Sequence, residues 1–100
     1  MTETLRRERF RFVGRVQGVG FRMTVRNLAD DRPIAGWVRN EPDGSVTCVA
    51  EGPEHELGEF LARIRQAMPG HITSLDRVEE PKGLEDLVGF SIKFDADPGR

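Results

Sequence analysis

The sequence predicts an α+β fold, a ferredoxin-like sandwich in which two helices cover one face of an antiparallel β-sheet, and three observations predict it. The spacing of apolar residues switches from two to about 3.6 and back twice, in the order β-α-β-β-α-β with a final strand pair. Chain breakers at Pro33, Pro42-Asp43-Gly44, Gly52-Pro53 and Pro69-Gly70 fall between these stretches. Hydrophobic residues at 37% with 11 glycines in 100 residues match a globular composition and supply one core, so the chain is read as a single domain over residues 1–100.

The elements follow in order. Phe10, Phe12, Gly14 and Val16 alternate with Arg9, Arg11, Val13 and Arg15, the period of a strand with one buried face. Phe21, Val25, Leu28 and Ala29 make the apolar stripe of an amphipathic helix over residues 21–31, which Pro33 closes. Residues 37–40 and 45–51 are β-prone runs joined by Glu41-Pro42-Asp43-Gly44, where proline presets a turn and glycine accepts a positive φ, so they read as a hairpin. Leu57, Phe60, Leu61, Ile64 and Met68 then repeat at helical spacing, with Glu54, Glu56 and Glu59 early and Arg63 and Arg65 late, as the helix dipole favours. A weaker strand is expected over residues 74–80, a loop over 81–88, and a last strand where Phe90, Ile92 and Phe94 alternate. Residues 95–100 read as a tail.

Composition also excludes function classes. No apolar run approaches the ~20 residues that span a bilayer, and the N-terminus lacks the apolar core of a signal peptide, so the expected compartment is the cytoplasm, with no membrane partner. Cys48 is the only cysteine, which rules out an internal disulfide or a multi-cysteine metal site. It reads as a small strand residue, and His55 and His71 as surface residues without metal-ligand company. Nine arginines against four acids put the first forty residues at +5 and leave −7 on the remainder. An arginine-rich half suits a small anion or a nucleic acid, because the guanidinium fork matches phosphate and carboxylate; a solvated basic face is the alternative.

The segment Gly14-Arg15-Val16-Gln17-Gly18-Val19-Gly20-Phe21-Arg22 carries most information, because closely spaced glycines join a strand end to a helix start. Such glycines let successive backbone N–H groups converge on one point, toward which the free N–H groups of the helix terminus also aim. Arg22 adds a cation in the first helical turn, where it faces the positive end of the dipole unless an anion lies between. A tight turn with Arg22 in water is the competing reading. The segment lacks the Gly-Lys-Ser/Thr ending of nucleotide triphosphatases and the third glycine and downstream acid of a dinucleotide fold. A cysteine phosphatase would need an arginine six positions beyond Cys48, where Glu54 stands, and Asp95-Ala96-Asp97 has no partner segment that would complete an aspartyl-phosphatase site. Asn40, at the end of Gly36-Trp37-Val38-Arg39-Asn40, could by itself be a turn cap.

Taken together, G-R-V-Q-G-V-G-F-R and, eighteen residues after Arg22, the asparagine of G-W-V-R-N-E-P-D-G-S-V resemble the acylphosphatase family, and the likeness extends through Gly52-Pro53 to the terminal F-S-I-K-F. The family's sandwich is the architecture derived above from periodicity. By this resemblance Arg22 is the catalytic, phosphate-binding arginine, Asn40 positions the attacking water, and the backbone of Arg15, Val16, Gln17, Gly18, Val19, Gly20 and Phe21 forms the phosphate-binding loop. The chain departs from the family at Glu41, where relatives often carry a small or neutral residue, and in the approach Asp31-Arg32-Pro33-Ile34-Ala35. The resemblance implies hydrolysis of a carboxyl–phosphate bond to carboxylate and inorganic phosphate, with no metal and no cofactor, by a monomer acting on a small acyl phosphate. An acylphosphatase-like domain of larger carbamoyl-phosphate-using maturation enzymes is the nearest rival, against which a chain of 100 residues is the expectation for a free-standing enzyme. An RNA-binding sheet is disfavoured because Phe10, Phe12 and Phe90 read as core, tyrosine is absent and the net charge is −2. An anion-binding regulator without turnover shares every one of these residues.

Overall fold

The computed structural model describes residues 4–81 and 86–94. Its elements are β1 (Leu5–Gly14), α1 (Phe21–Asp30), β2 (Ala35–Asn40), β3 (Val46–Pro53), α2 (Glu54–Ala67), β4 (Ile72–Glu79) and β5 (Phe90–Ile92). The strands form a sheet in the order β4-β1-β3-β2-β5. Three of its pairings are antiparallel, with Phe10 opposite Cys48, Asn40 opposite Val46 and Phe12 opposite Leu75. The architecture is the α+β, ferredoxin-like arrangement read from the sequence.

One pairing departs from the all-antiparallel expectation. β5 runs parallel to β2, and it lies at the edge opposite β4, so the last two strands are not a pair. Connectivity explains this: the Glu80 N–H donates to the Arg7 carbonyl and the Gly36 N–H to the Gly89 carbonyl, so the chain leaves β4 and enters β5 at the same end of the sheet. The parallel course then returns Ile92 and Lys93 to the end where α1 begins.

Alternation divides the sheet into two faces. Phe10, Phe12, Val38, Val46, Cys48 and Ala50 face the helices and pack against Val25, Ala29, Leu57, Phe60 and Ile64, all buried. Phe12 meets Phe21 edge-on at 5.0 Å between centroids, which fixes the start of α1 over the sheet. Burial pushes the Cys48 thiol up from its ordinary value, so it is inert packing, as expected of it. On the open face Trp37 is covered by cations, with Lys93 Nζ at 4.3 Å and the Arg39 guanidinium at 5.0 Å from the ring centroid. The arginines of that face are paired, Arg7 with Glu51, Arg9 with Glu80, Arg11 with Asp43 and Arg39 with Glu41.

Other boundaries moved. β1 begins at Leu5, several residues before the apolar alternation starts, because ion pairs rather than apolar contacts hold Arg6, Arg7 and Glu8. Phe94 is 96% exposed and lies outside β5, so the alternation through it does not extend the strand. α1 ends at Asp30 with Asp31 as its cap, and Met68 is the buried cap of α2. Among the described residues no helix is long and apolar enough to cross a membrane. The tail at 95–100, with Asp95-Ala96-Asp97, lies outside the described residues, as does 82–85 of the expected loop.

Candidate active site

The loop between β1 and α1 is anchored at both ends. At Gly14 (φ 138°) a side chain would collide with the His71 carbonyl, since a Cβ there would stand 2.2 Å from that oxygen. This close approach lets the Arg15 N–H donate to the His71 carbonyl at 2.8 Å, while His71 Nδ1 lies 2.9 Å from the Arg15 carbonyl and donates to it in the tautomer that carries a proton there. His71 is therefore a partner of the loop rather than a bystander at the surface. Further on, the Gln17 side-chain amide donates to the carbonyls of Glu41 and Ser45, both at 2.8 Å, and ties the loop to the β2–β3 turn.

Gly18 (φ 75°) and Gly20 (φ 79°) are left-handed, and Gly20 is the residue from which α1 starts. A Cβ at either would touch nothing, so these glycines serve the backbone path, not a tight fit. α1 has no acidic residue in its first turn and no side-chain cap. Its amino terminus, with Arg22 one residue in, thus carries positive charge with no acid in the same turn.

These elements enclose a hollow of about 200 Å³ lined by Val16, Gly18, Gly20, Phe21, Arg22, Met23, Asn40 and Ile92. The Arg22 guanidinium is half-buried and reaches the Lys93 carbonyl at 3.5 Å. Asn40 is buried, and among the described residues its Oδ1 has no hydrogen-bond partner. The turn-capping role open to Asn40 in the sequence falls to Asp43, whose Oδ1 accepts from the Ser45 N–H at 2.9 Å and the Ser45 hydroxyl at 2.6 Å. Those two bonds and the Arg11 guanidinium at 2.8 Å hold the Asp43 carboxyl well below the usual carboxylate range. Glu41, the departure beside Asn40, turns its carboxylate to Arg39 at 3.0 Å and does not line the hollow. A larger hollow of about 360 Å³ at the other end of the sheet contains Arg32 and Glu51, but these already pair with Glu56 and Arg7.

Of the residues singled out by sequence, Val16, Gly18, Gly20, Phe21, Arg22 and Asn40 come together around one space. Arg15, Gln17 and Val19 do not line it: Arg15 is held by His71, Gln17 faces the turn, and Val19 is exposed. Met23, Ile92 and His71 were not foreseen. Ile92 arrives through the parallel edge strand and His71 through a backbone pairing, neither of which leaves a local signal. Among the described residues no group of three or more His, Cys, Asp or Glu could hold a metal ion.

Comparison with known proteins identifies the fold and the family. The acylphosphatase family model matches residues 8–92. The acylphosphatase of Bacillus subtilis (strain 168) is 44% identical over 81 residues, which is 81% of this chain and 89% of that protein. The crystal structure of acylphosphatase from Bacillus subtilis superposes with a TM-score of 0.79 at 42% identity, covering 90% of this chain and 99% of that one. Full-length HypF in its phosphate- and nucleotide-bound form also contains the fold, with a TM-score of 0.82 and 25% identity over 99% of this chain but 13% of its own. A match over nearly the whole described chain, at such identity to proteins of similar length, makes this chain a member of the acylphosphatase family, hydrolases that cleave the mixed anhydride of acyl phosphates.

Proposed function

We propose that the hollow binds the phosphoryl group of a small acyl phosphate, that Arg22 and the loop backbone at Val16, Gly18, Gly20 and Phe21 hold its oxygens, and that Asn40 orients the attacking water. The observation that carries this reading is the Asn40 carbonyl oxygen, buried without a partner in the same space as Arg22, Gly18 and Gly20. A desolvated acceptor costs about 1–3 kcal/mol, and a water molecule that donates to it removes that cost. Arg15 joins the loop through its bond to His71, so its N–H supports the cradle rather than binding the anion.

The chemistry asks little beyond position and charge. Water oxygen bonds to phosphorus as the bond to the carboxyl oxygen breaks, and the carboxylate departs with that electron pair. Its conjugate acid is strong enough that no general acid is required. An amide cannot accept the water's proton, which passes to a phosphoryl oxygen, giving inorganic phosphate. Arg22 and the N–H groups balance the charge on the transferring group, so no step calls for a metal. The same reading takes the protein to act as one domain and as a monomer in the cytoplasm, without a nucleic-acid partner. Pairing of each open-face arginine with a carboxylate supports that last point.

Asn40→Ala tests the assignment. The kcat for acetyl phosphate should fall by about 10²–10³, the loss typical of one preorganised polar contact, while inorganic phosphate still binds. Stability should be nearly unchanged, because Asp43 and not Asn40 makes the bonds that cap the turn. A variant of normal kcat overturns the role, and wild-type turnover abolished by a chelator and restored by magnesium overturns the metal-free step.

A further inference from the structure

We propose that Met23, Ile92 and Phe94 form the subsite that receives the acyl group, and that this subsite selects acyl phosphates with apolar chains or rings. The proposal rests on the placement of the phosphoryl group and water given above. A second hollow of about 530 Å³, lined by Arg22, Ile92, Lys93 and Phe94, adjoins the phosphoryl site and shares Arg22 and Ile92 with it, but not Asn40. In phosphoryl transfer the attacking and leaving oxygens lie roughly in line across phosphorus. With the water on the Asn40 side, the acyl oxygen leaves on the opposite side, past Arg22 and into the second hollow.

Besides Arg22 and Lys93, the described residues around that exit are apolar. Met23, in the wall of the phosphoryl hollow, is 49% exposed and Phe94, in the wall of the second, 96% exposed, although both are large hydrophobic side chains. Single exposed apolar residues are ordinary, and Leu5, Val78 and Val88 are of that kind, since none lines either hollow. Two flanking a substrate channel, with Ile92 between the hollows, form a continuous apolar margin to a charged site. Lys93 does not reverse this character: its ammonium stacks on Trp37 at 4.3 Å, and its carbonyl is the atom facing Arg22. The cation nearest along α1, Arg26, lines neither hollow.

The test compares substrates within each variant, so that differences in intrinsic reactivity cancel. The ratio of kcat/KM for benzoyl phosphate to that for acetyl phosphate is measured in the wild type, in Met23→Ser/Phe94→Ala, and in Val78→Ser as a surface control. The ratio should fall about tenfold in the double variant and stay unchanged in the control. Inhibition by inorganic phosphate should change by no more than about twofold in the double variant, since Arg22 and the loop are retained. An unchanged ratio in the double variant overturns the proposal, as does a wild-type preference for succinyl phosphate, whose second carboxylate an apolar subsite rejects. If the wild type instead fails to hydrolyse acetyl phosphate or to bind inorganic phosphate, it is the phosphoryl site that is wrongly placed.

Discussion

The two ends of the sheet treat buried polar groups in opposite ways. Where β1 begins, Glu8 is 2% exposed, accepts from Arg77 Nε at 2.9 Å and forms an ion pair with Arg6 Nη2 at 3.2 Å, while the buried Arg7 meets Glu51 at 3.1 Å. One nitrogen there, Arg6 Nε, is left over, but the terminal nitrogens of the same guanidinium reach Glu8, Glu54 and Glu79. Where β1 ends, the carbonyl oxygen of Asn40 has no partner, and the start of α1 carries Arg22 with no acid in its first turn. The difference separates polar groups committed to the fold from those held ready for a ligand. Desolvated polar groups are tolerable when paired, and an unpartnered acceptor such as the Asn40 oxygen persists only where the surrounding structure imposes it, which is the pattern of binding sites.

The largest effect that this contrast predicts is at Arg22. Arg22→Ala should lower kcat/KM by about 10³-fold or more, raising KM as well as lowering kcat, because the guanidinium holds the phosphoryl group before and during transfer. Arg22→Lys should recover little, since a point charge does not reproduce the fork. Urea unfolding should be nearly unchanged in both. Steady-state kinetics and the shift of Tm by inorganic phosphate check this together, and a full phosphate shift in Arg22→Ala would place the anion elsewhere.

At the paired end the signs reverse. Glu8→Ala leaves Arg6 and Arg77 facing an empty, desolvated position and should lower stability by about 2 kcal/mol, below the cost of a fully buried pair because both arginines retain access to water. The side chains of Arg6 and Arg77 are 30% and 41% exposed. Turnover per folded molecule should match the wild type. A Glu8→Ala protein that keeps its urea midpoint but loses kcat would erase the distinction between the two ends.

How legible these ends were in the sequence follows the same division. The glycine loop, α1 and the hairpin after Trp37 announce themselves locally, through chain breakers and apolar spacing, and the two motifs carry Arg22 and Asn40 by resemblance. Nothing local distinguishes Asn40 from a turn cap; in the structure it is Asp43 that caps the turn. The paired end was nearly silent: Arg6, Arg7 and Glu8 have no apolar period, and their partners Glu51, Arg77 and Glu79 lie more than forty residues away. The parallel course of β5 and the contact of His71 with Arg15 are likewise products of topology. Phe94 misled because alternation cannot tell a strand's continuation from an exposed side chain just beyond it.

Asp43 gives the smallest effect and the finest test, because it lies at the unpaired end yet is itself fully partnered, by Ser45 first and then by Arg11. If partnering rather than location decides a residue's role, Asp43 should behave like Glu8 and contribute to stability. Its carboxyl binds a proton less readily in the folded chain than in the unfolded one, where the ordinary value of about 3.9 applies. The unfolded state therefore holds more proton between those two values, so the contribution is complete above about pH 4 and is lost as pH falls toward the folded-state value. Asp43→Asn should accordingly be less stable than the wild type at neutral pH, with the gap narrowing between about pH 4 and pH 2.5. The side chain is 55% exposed, so the gap should be smaller than for Glu8→Ala. Its kcat should fall far less than that of Asn40→Ala, since Gln17 still ties the loop to the turn through the Glu41 and Ser45 carbonyls. A pH-independent gap would remove the carboxylate from the stability of the turn. A kcat as low as that of Asn40→Ala would mean that the turn's own bonds, and not the unpartnered amide, set the catalytic geometry.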